Sequence, residues 1–194
     1  MVPGRSDCPN GFARDATGYL LAAHHTMPPA RTPAITMSAN QRSQFTCVVA
    51  DSPPATSVSA SRFASRLFVT ETAGRLPGYT DGKEVTCALC SSNFGPTYVR
   101  WGRTSCPTAS TLVYSGYAAG SHYEETGGGF NLLCMHGTPM YGITEDAVDD
   151  NAAKLYRVEF ETEDKGLWKL WGLHNADVAC AVCQPTGSTA VLMQ

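Results

Sequence analysis

"VTCALC" at residues 85–90 and "VACAVC" at residues 178–183 are one six-residue pattern written twice. A cysteine pair with this spacing serves three chemistries: a redox couple, half of a zinc site, or two arms of a disulfide framework. The surroundings decide among them. A redox pair needs a helix start whose dipole stabilises the thiolate. Here Val, Thr, Ala and Leu surround the cysteines, which is strand composition, and "SSNFG" or "QPTGS" follows in place of a helix. A zinc site built from two knuckles would take Cys87, Cys90, Cys180 and Cys183 and leave Cys8, Cys47, Cys106 and Cys134 to pair separately. A disulfide framework uses all eight. Residues i and i+3 of a strand face opposite ways, so the two cysteines of each pair should bond different partners. Cys8 and Cys47 are expected to bond Cys87 and Cys90, and Cys106 and Cys134 to bond Cys180 and Cys183; the order within each set stays open.

The duplication extends beyond the cysteine pairs. "CPNGFARDATGYLLAAHH" (8–25) lies over "CPTASTLVYSGYAAGSHY" (106–123) without gaps, matching Cys8 with Cys106, Gly18-Tyr19 with Gly116-Tyr117, and His24 with His122. "FTC" ending at Cys47 then meets "LLC" ending at Cys134, and "RLFVTE" (66–71) meets "KLYRVE" (154–159). Internal repetition of this kind implies two copies of one supersecondary unit. The expected organisation is a first β-rich repeat over 1–92 and a second over 93–194, packed as one compact pseudo-two-fold domain. "TMPPARTPAITMSANQR" (26–42), with its prolines, reads as a surface loop inserted in the first repeat.

"RLFVTET", "EVTCALC", "YVRWGR", "TLVYSGY", "KLYRVEFE" and "DVACAVC" are short, β-branched or aromatic, and bounded by turn residues, so they read as strands. "SSNFGPT" (91–97) reads as the linker between repeats. "TEDAVDDNAAKLY" (144–156) has the composition of one short helix. The fold class is therefore mainly β: short antiparallel strands in one disulfide-linked unit with little helix.

Composition excludes several roles. The chain has 194 residues, a formal net charge of −3 and 16% charged residues, against about 25% in ordinary domains. Lys and Arg are scattered singly, so a nucleic-acid partner is not expected. No apolar run approaches the ~18 residues of a membrane span. The opening "MVPGRSDCPN" lacks a signal-peptide core, so an exported chain would carry its leader elsewhere. Ser121-His122 has no nucleophile elbow around it. "TGGGFN" (126–131) is not set between a strand and a helix as a phosphate loop would be, and reads as a turn or bulge. No catalytic residue, metal ligand or cofactor is expected.

Five residues form a candidate ligand surface: Arg100, Trp101 and Arg103 in "YVRWGR", and the matched His24 and His122. Tryptophan beside arginine can bind a sugar or a protein partner. The expectation for Trp101 is nonetheless core packing, because an indole supplies so much apolar area. The histidines are expected to be hydrogen-bonded near strand ends, since no metal-ligand spacing accompanies them. Trp168 and Trp171 are expected in core or loop packing, and His25, His136 and His174 in exposed positions.

"YVRWGRTSCP", "LVYSGYAAGSHY", "GGGFNLLCM" and "DVACAVCQPTGSTAVLM" resemble the non-collagenous domain of sponge short-chain collagen C4-like (spongin-like) proteins. "GYLLAAHH", "QFTCVV", "LFVTET" and "GRLPGYTDGKEVTCALC" resemble the other half of that domain. The match spans nearly the whole chain. Two departures stand out: there is no Gly-X-Y tract, hence no triple helix, and the two halves run in the reverse order. The resemblance implies a secreted, non-enzymatic scaffold of extracellular matrix or of a silica skeleton. Its partners would be itself and other matrix or filament proteins, including a silicatein-like protein, with silica or glycan contact. The alternative is a secreted carbohydrate-binding module using Trp101 and the Gly-rich loop.

Overall fold

The computed structural model describes residues 1–24, 44–49, 67–93, 95–125, 131–142, 152–161 and 173–187. These hold ten strands and no helix: β1 Val2–Pro3, β2 Ala13–Ala22, β3 Thr46–Val49, β4 Phe68–Thr72, β5 Thr86–Ser91, β6 Tyr98–Trp101, β7 Ser110–Gly120, β8 Leu133–His136, β9 Ala153–Arg157 and β10 Ala179–Pro185. They join in one mixed sheet ordered β1-β5-β2-β4-β9-β7-β10-β6, with β3 on β2 and β8 on β7. All ladders are antiparallel except β4–β9, which runs parallel and links the two halves of the chain. The mainly β, disulfide-linked reading therefore holds. In the described part of the helix expected over 144–156, residues 153–157 are β9, as the strand reading of "KLYRVEFE" (154–161) had it, with Ala153 and Leu155 in the core; residues 143–151 lie outside the described residues, as does the proline-rich loop at 26–42.

The same pairings recur at the aligned positions. Gly18 faces Cys87 as Gly116 faces Cys180, and Leu20 faces Cys47 as Ala118 faces Cys134. Each long strand carries a bulge at the matched place, skipping Asp15 opposite β5 and Val113 opposite β10. Ala22 faces Phe68 on β4 as Gly120 faces Tyr156 on β9.

Four cystines tie this sheet: Cys8–Cys90, Cys47–Cys87, Cys106–Cys183 and Cys134–Cys180. Each stays within its own half, and the two members of each CxxC bond different partners. The inner bond of each half has an unusual geometric requirement. Cys47 on β3 and Cys87 on β5 flank β2, which pairs with both strands. Strands on either side of a common neighbour stand roughly 9–10 Å apart in a flat sheet, yet these Cα atoms are 5.8 Å apart. The sheet must fold over β2 between them, and Gly18 allows it. A Cβ built at Gly18 would lie 1.8 Å from the Val48 carbonyl oxygen, and one at Gly116 would lie 1.7 Å from that of Met135. The neighbouring backbone occupies the space of the missing side chain. That explains why a glycine stands at both matched positions.

The main core draws on both halves, with Leu20, Phe45 and Val85 against Leu133, Met135 and Leu155. A second cluster sets Val2 and Ala88 against Tyr114, Cys134, Cys180 and Val182. Thr86 Oγ1 donates to the Met140 carbonyl, and the Met140 amide donates to the Gly4 carbonyl, sewing β1 and β5 to the segment after β8.

Replacing Gly18 or Gly116 by alanine should hold the flanking strand off and leave the inner cystine of that half unclosed. Non-reducing peptide mapping should then find free Cys47 and Cys87, or free Cys134 and Cys180. Stability should drop by about 4 kcal/mol, the entropic worth of a cystine closing a loop of this length.

Candidate functional site

Edge strand β6 carries three of the five candidate surface residues or leads into them. Among the described residues it pairs with β10 alone, Trp101 facing Cys180 and Val99 facing Val182. Val99 is 39% and Trp101 42% exposed. The expectation that Trp101 packs in the core is thus corrected: among the described residues β6 is the last strand of the sheet, and no described strand lies on its outer flank. Gly102, with φ +74°, turns the chain away while its amide donates to the Ala179 carbonyl. Arg100 Nη1 donates to the Ser105 carbonyl at 3.0 Å, and Arg103 is exposed. The result is a short apolar ridge with guanidinium groups beside it, on the last strand of the sheet among the described residues.

His24 and His122 occupy matched places and meet matched neighbours. The His24 ring stands edge-on to Phe68 of β4 at 5.1 Å, and the His122 ring lies 5.0 Å from Tyr156 of β9. His122 also stacks on Tyr123, which is 86% exposed, and its Nδ1 accepts from the Glu124 amide. Tyr156 donates to Glu125 Oε1 at 2.8 Å. Loss of solvent, then that hydrogen bond, then the charges of Glu125 and Asp81 push the Tyr156 phenol up to about 12. This is an aromatic-acidic cluster that binds its own members.

His136 Nδ1 contacts the Thr138 amide and carbonyl. Burial, followed by the charge of Arg5, lowers its pKa. His174 pairs with Glu161 at 3.8 Å. Tyr79 and Tyr114 are buried, which raises both phenols; their hydroxyls donate to the His136 and Cys134 carbonyls. His25, Trp168, Trp171 and residues 126–130 of the Gly-rich loop lie outside the described residues. All eight cysteines are oxidised, so no thiolate remains for redox chemistry or zinc. Among the described residues no group of three or more His, Cys, Asp or Glu is placed to hold a metal, and no helix is long and apolar enough to cross a membrane.

Sequence reasoning missed one polar cluster entirely. Lys154 Nζ lies 2.6 Å from Glu71 Oε2, with side chains 10% and 5% exposed, across the parallel β4–β9 ladder. Glu84 sits opposite Glu71 on the other flank. Charged residues inside otherwise apolar or Thr-rich runs, Glu71 in "LFVTET" and Lys154 in "AAKLY", were the available signal. The chain matches no family model, no curated protein and no solved structure.

Alkaline titration followed by tyrosinate absorbance should show Tyr156 ionising near 12, above its ordinary 10. The neutral phenol is the form the fold favours. Its stabilising contribution is therefore complete below about pH 10 and is lost as pH rises towards 12. Tyr156→Phe should remove that component from the titration curve.

Proposed function

We propose that this chain is a non-enzymatic, secreted scaffold of extracellular matrix or biomineral that acts through protein–protein contacts on its surface. The carrying observation is the exposed apolar edge of β6, Val99 and Trp101, on a sheet locked by four cystines. An open strand edge is a template for pairing with another chain. A body stiffened by cystines loses little further conformational freedom when it packs against neighbours. Four disulfides are compatible with an extracellular setting. The resemblance to spongin-like domains supports the same reading and names the class of partner: further copies, other filament proteins, or a silicatein-like protein.

The exposed Trp101 also favours one second reading, a carbohydrate-binding module in which the indole stacks on a sugar ring. The two readings separate in one set of measurements. For a scaffold, sedimentation should show concentration-dependent self-association or co-assembly, weakened by about 2 kcal/mol or more on Trp101→Ala, with no glycan retained. Reversible glycan binding that disappears in Trp101→Ala would favour the module instead. The double substitution of His24 and His122 should leave folding and assembly intact. A hydrolase or condensation activity abolished by a single Ser or His substitution would overturn both.

A further inference from the structure

Glu84, Glu71 and Lys154 form a row across three neighbouring strand segments. Glu84 is bridged antiparallel to Glu71, and Glu71 stands in register with Lys154 in the parallel ladder. Residues directly opposed in adjacent strands hold their side chains on one face, with Cβ atoms roughly 5 Å apart. The Lys154 amine already touches the Glu71 carboxyl at 2.6 Å, and both side chains are nearly removed from solvent. Thr70 and Thr72, on either side of Glu71, are 0% and 1% exposed.

We propose that Lys154 and Glu71 condense to an intramolecular isopeptide cross-link, with Glu84 as the proton carrier. The step is a condensation and needs no oxidant, reductant or co-reactant. The Lys154 ammonium hands one proton to the Glu71 carboxylate it touches, and the freed Nζ attacks Glu71 Cδ; Glu84, bridged to Glu71, then relays the second proton from that nitrogen to the departing oxygen. A C–N bond forms and a C–O bond breaks. Two protons pass in all from Nζ to the departing oxygen, which leaves as water, and Glu84 ends as it began. The charges of ammonium and carboxylate cancel in the neutral amide.

Three physical considerations favour the step at this place. A buried ion pair carries a desolvation cost that a neutral amide does not. Holding the reacting groups in contact spares the entropic cost of bringing them together, a rate advantage that in well-oriented intramolecular reactions reaches effective concentrations of about 10⁵–10⁸ M. Glu84 is suited to move protons, because burial and the neighbouring Glu71 charge raise its carboxyl above the ordinary range.

The chain carries its own comparison. Glu159 aligns with Glu71 and Asp177 with Glu84, and the two are bridged in the same way. There the cation is Arg157, which pairs with Glu159 and lies 3.6 Å from Asp177 in a solvent-accessible setting. A guanidinium stays protonated and is no nucleophile, so that row remains an ion pair. The buried row has the amine.

This inference does not rest on the scaffold reading. Its test is peptide mapping of the reduced and alkylated protein by tandem mass spectrometry. The expected product is a branched peptide joining the segments of Glu71 and Lys154, lighter by one water than the two separate peptides. Glu84→Gln should yield the separate, unmodified peptides while a non-reducing map still shows all four cystines. Lys154→Met should also lack the branched product. Separate peptides of full mass from the wild-type protein would overturn the cross-link, whether or not either variant folds. A branched peptide persisting in Glu84→Gln would overturn the role given to Glu84.

Discussion

The inner cystine of each half, closed over a glycine, is the constraint on which the rest of the sheet depends. Cys47 and Cys87 belong to strands that share β2 as a neighbour, and Cys134 and Cys180 to strands that share β7. Their Cα separations of 5.8 and 5.7 Å are reached only because the sheet folds over Gly18 and Gly116. That fold places Leu20 and Met135 towards one interior. The outer bonds, Cys8–Cys90 and Cys106–Cys183, then fasten the segment before each long strand to the end of its partner. Sequence separations of 82 and 77 residues mean that these bonds remove much chain entropy from the unfolded state.

Between the halves the chain uses a different device. The one parallel ladder among the described residues, β4–β9, carries Lys154 against Glu71 in a nearly dry setting. A buried pair of this kind is poor evidence for stability by itself, because desolvation offsets much of the attraction. It does select one register: sliding β9 by one residue would turn Lys154 to the other face and leave Glu71 without its cation. The matched row around Arg157 sits nearer solvent, where screening makes its contribution small. Aligned positions in the two halves thus serve different physical purposes.

The functional reading rests on where apolar and polar groups remain after these demands are met. Tyr79, Tyr114, Tyr156 and the described histidines are engaged with protein groups. The cysteines are all oxidised. Val99 and Trp101 are instead exposed on β6, the last strand of the sheet among the described residues, and this favours recognition by surface contact.

Local composition was enough to read the β class, six of the strands and the confinement of cystines to each half. Strand periodicity and the covalent demands of cysteine act over a few residues, so they leave a local trace. The histidine matches were visible for the same reason. Which cysteine of each CxxC takes which partner depended on the fold-over at Gly18 and Gly116, a contact between backbones that no side-chain pattern announces. The exposure of Trp101 followed from β6 being the last strand of the sheet among the described residues. Glu71 and Lys154 are 83 residues apart, and only the parallel ladder brings them together. The sequence by itself determined the β class, six of the strands and the confinement of the cystines to each half, because these follow from short-range chemistry. Tertiary structure alone decided the cystine order, the exposure of Trp101 and the buried acid–amine row, because each depends on which distant strands become neighbours.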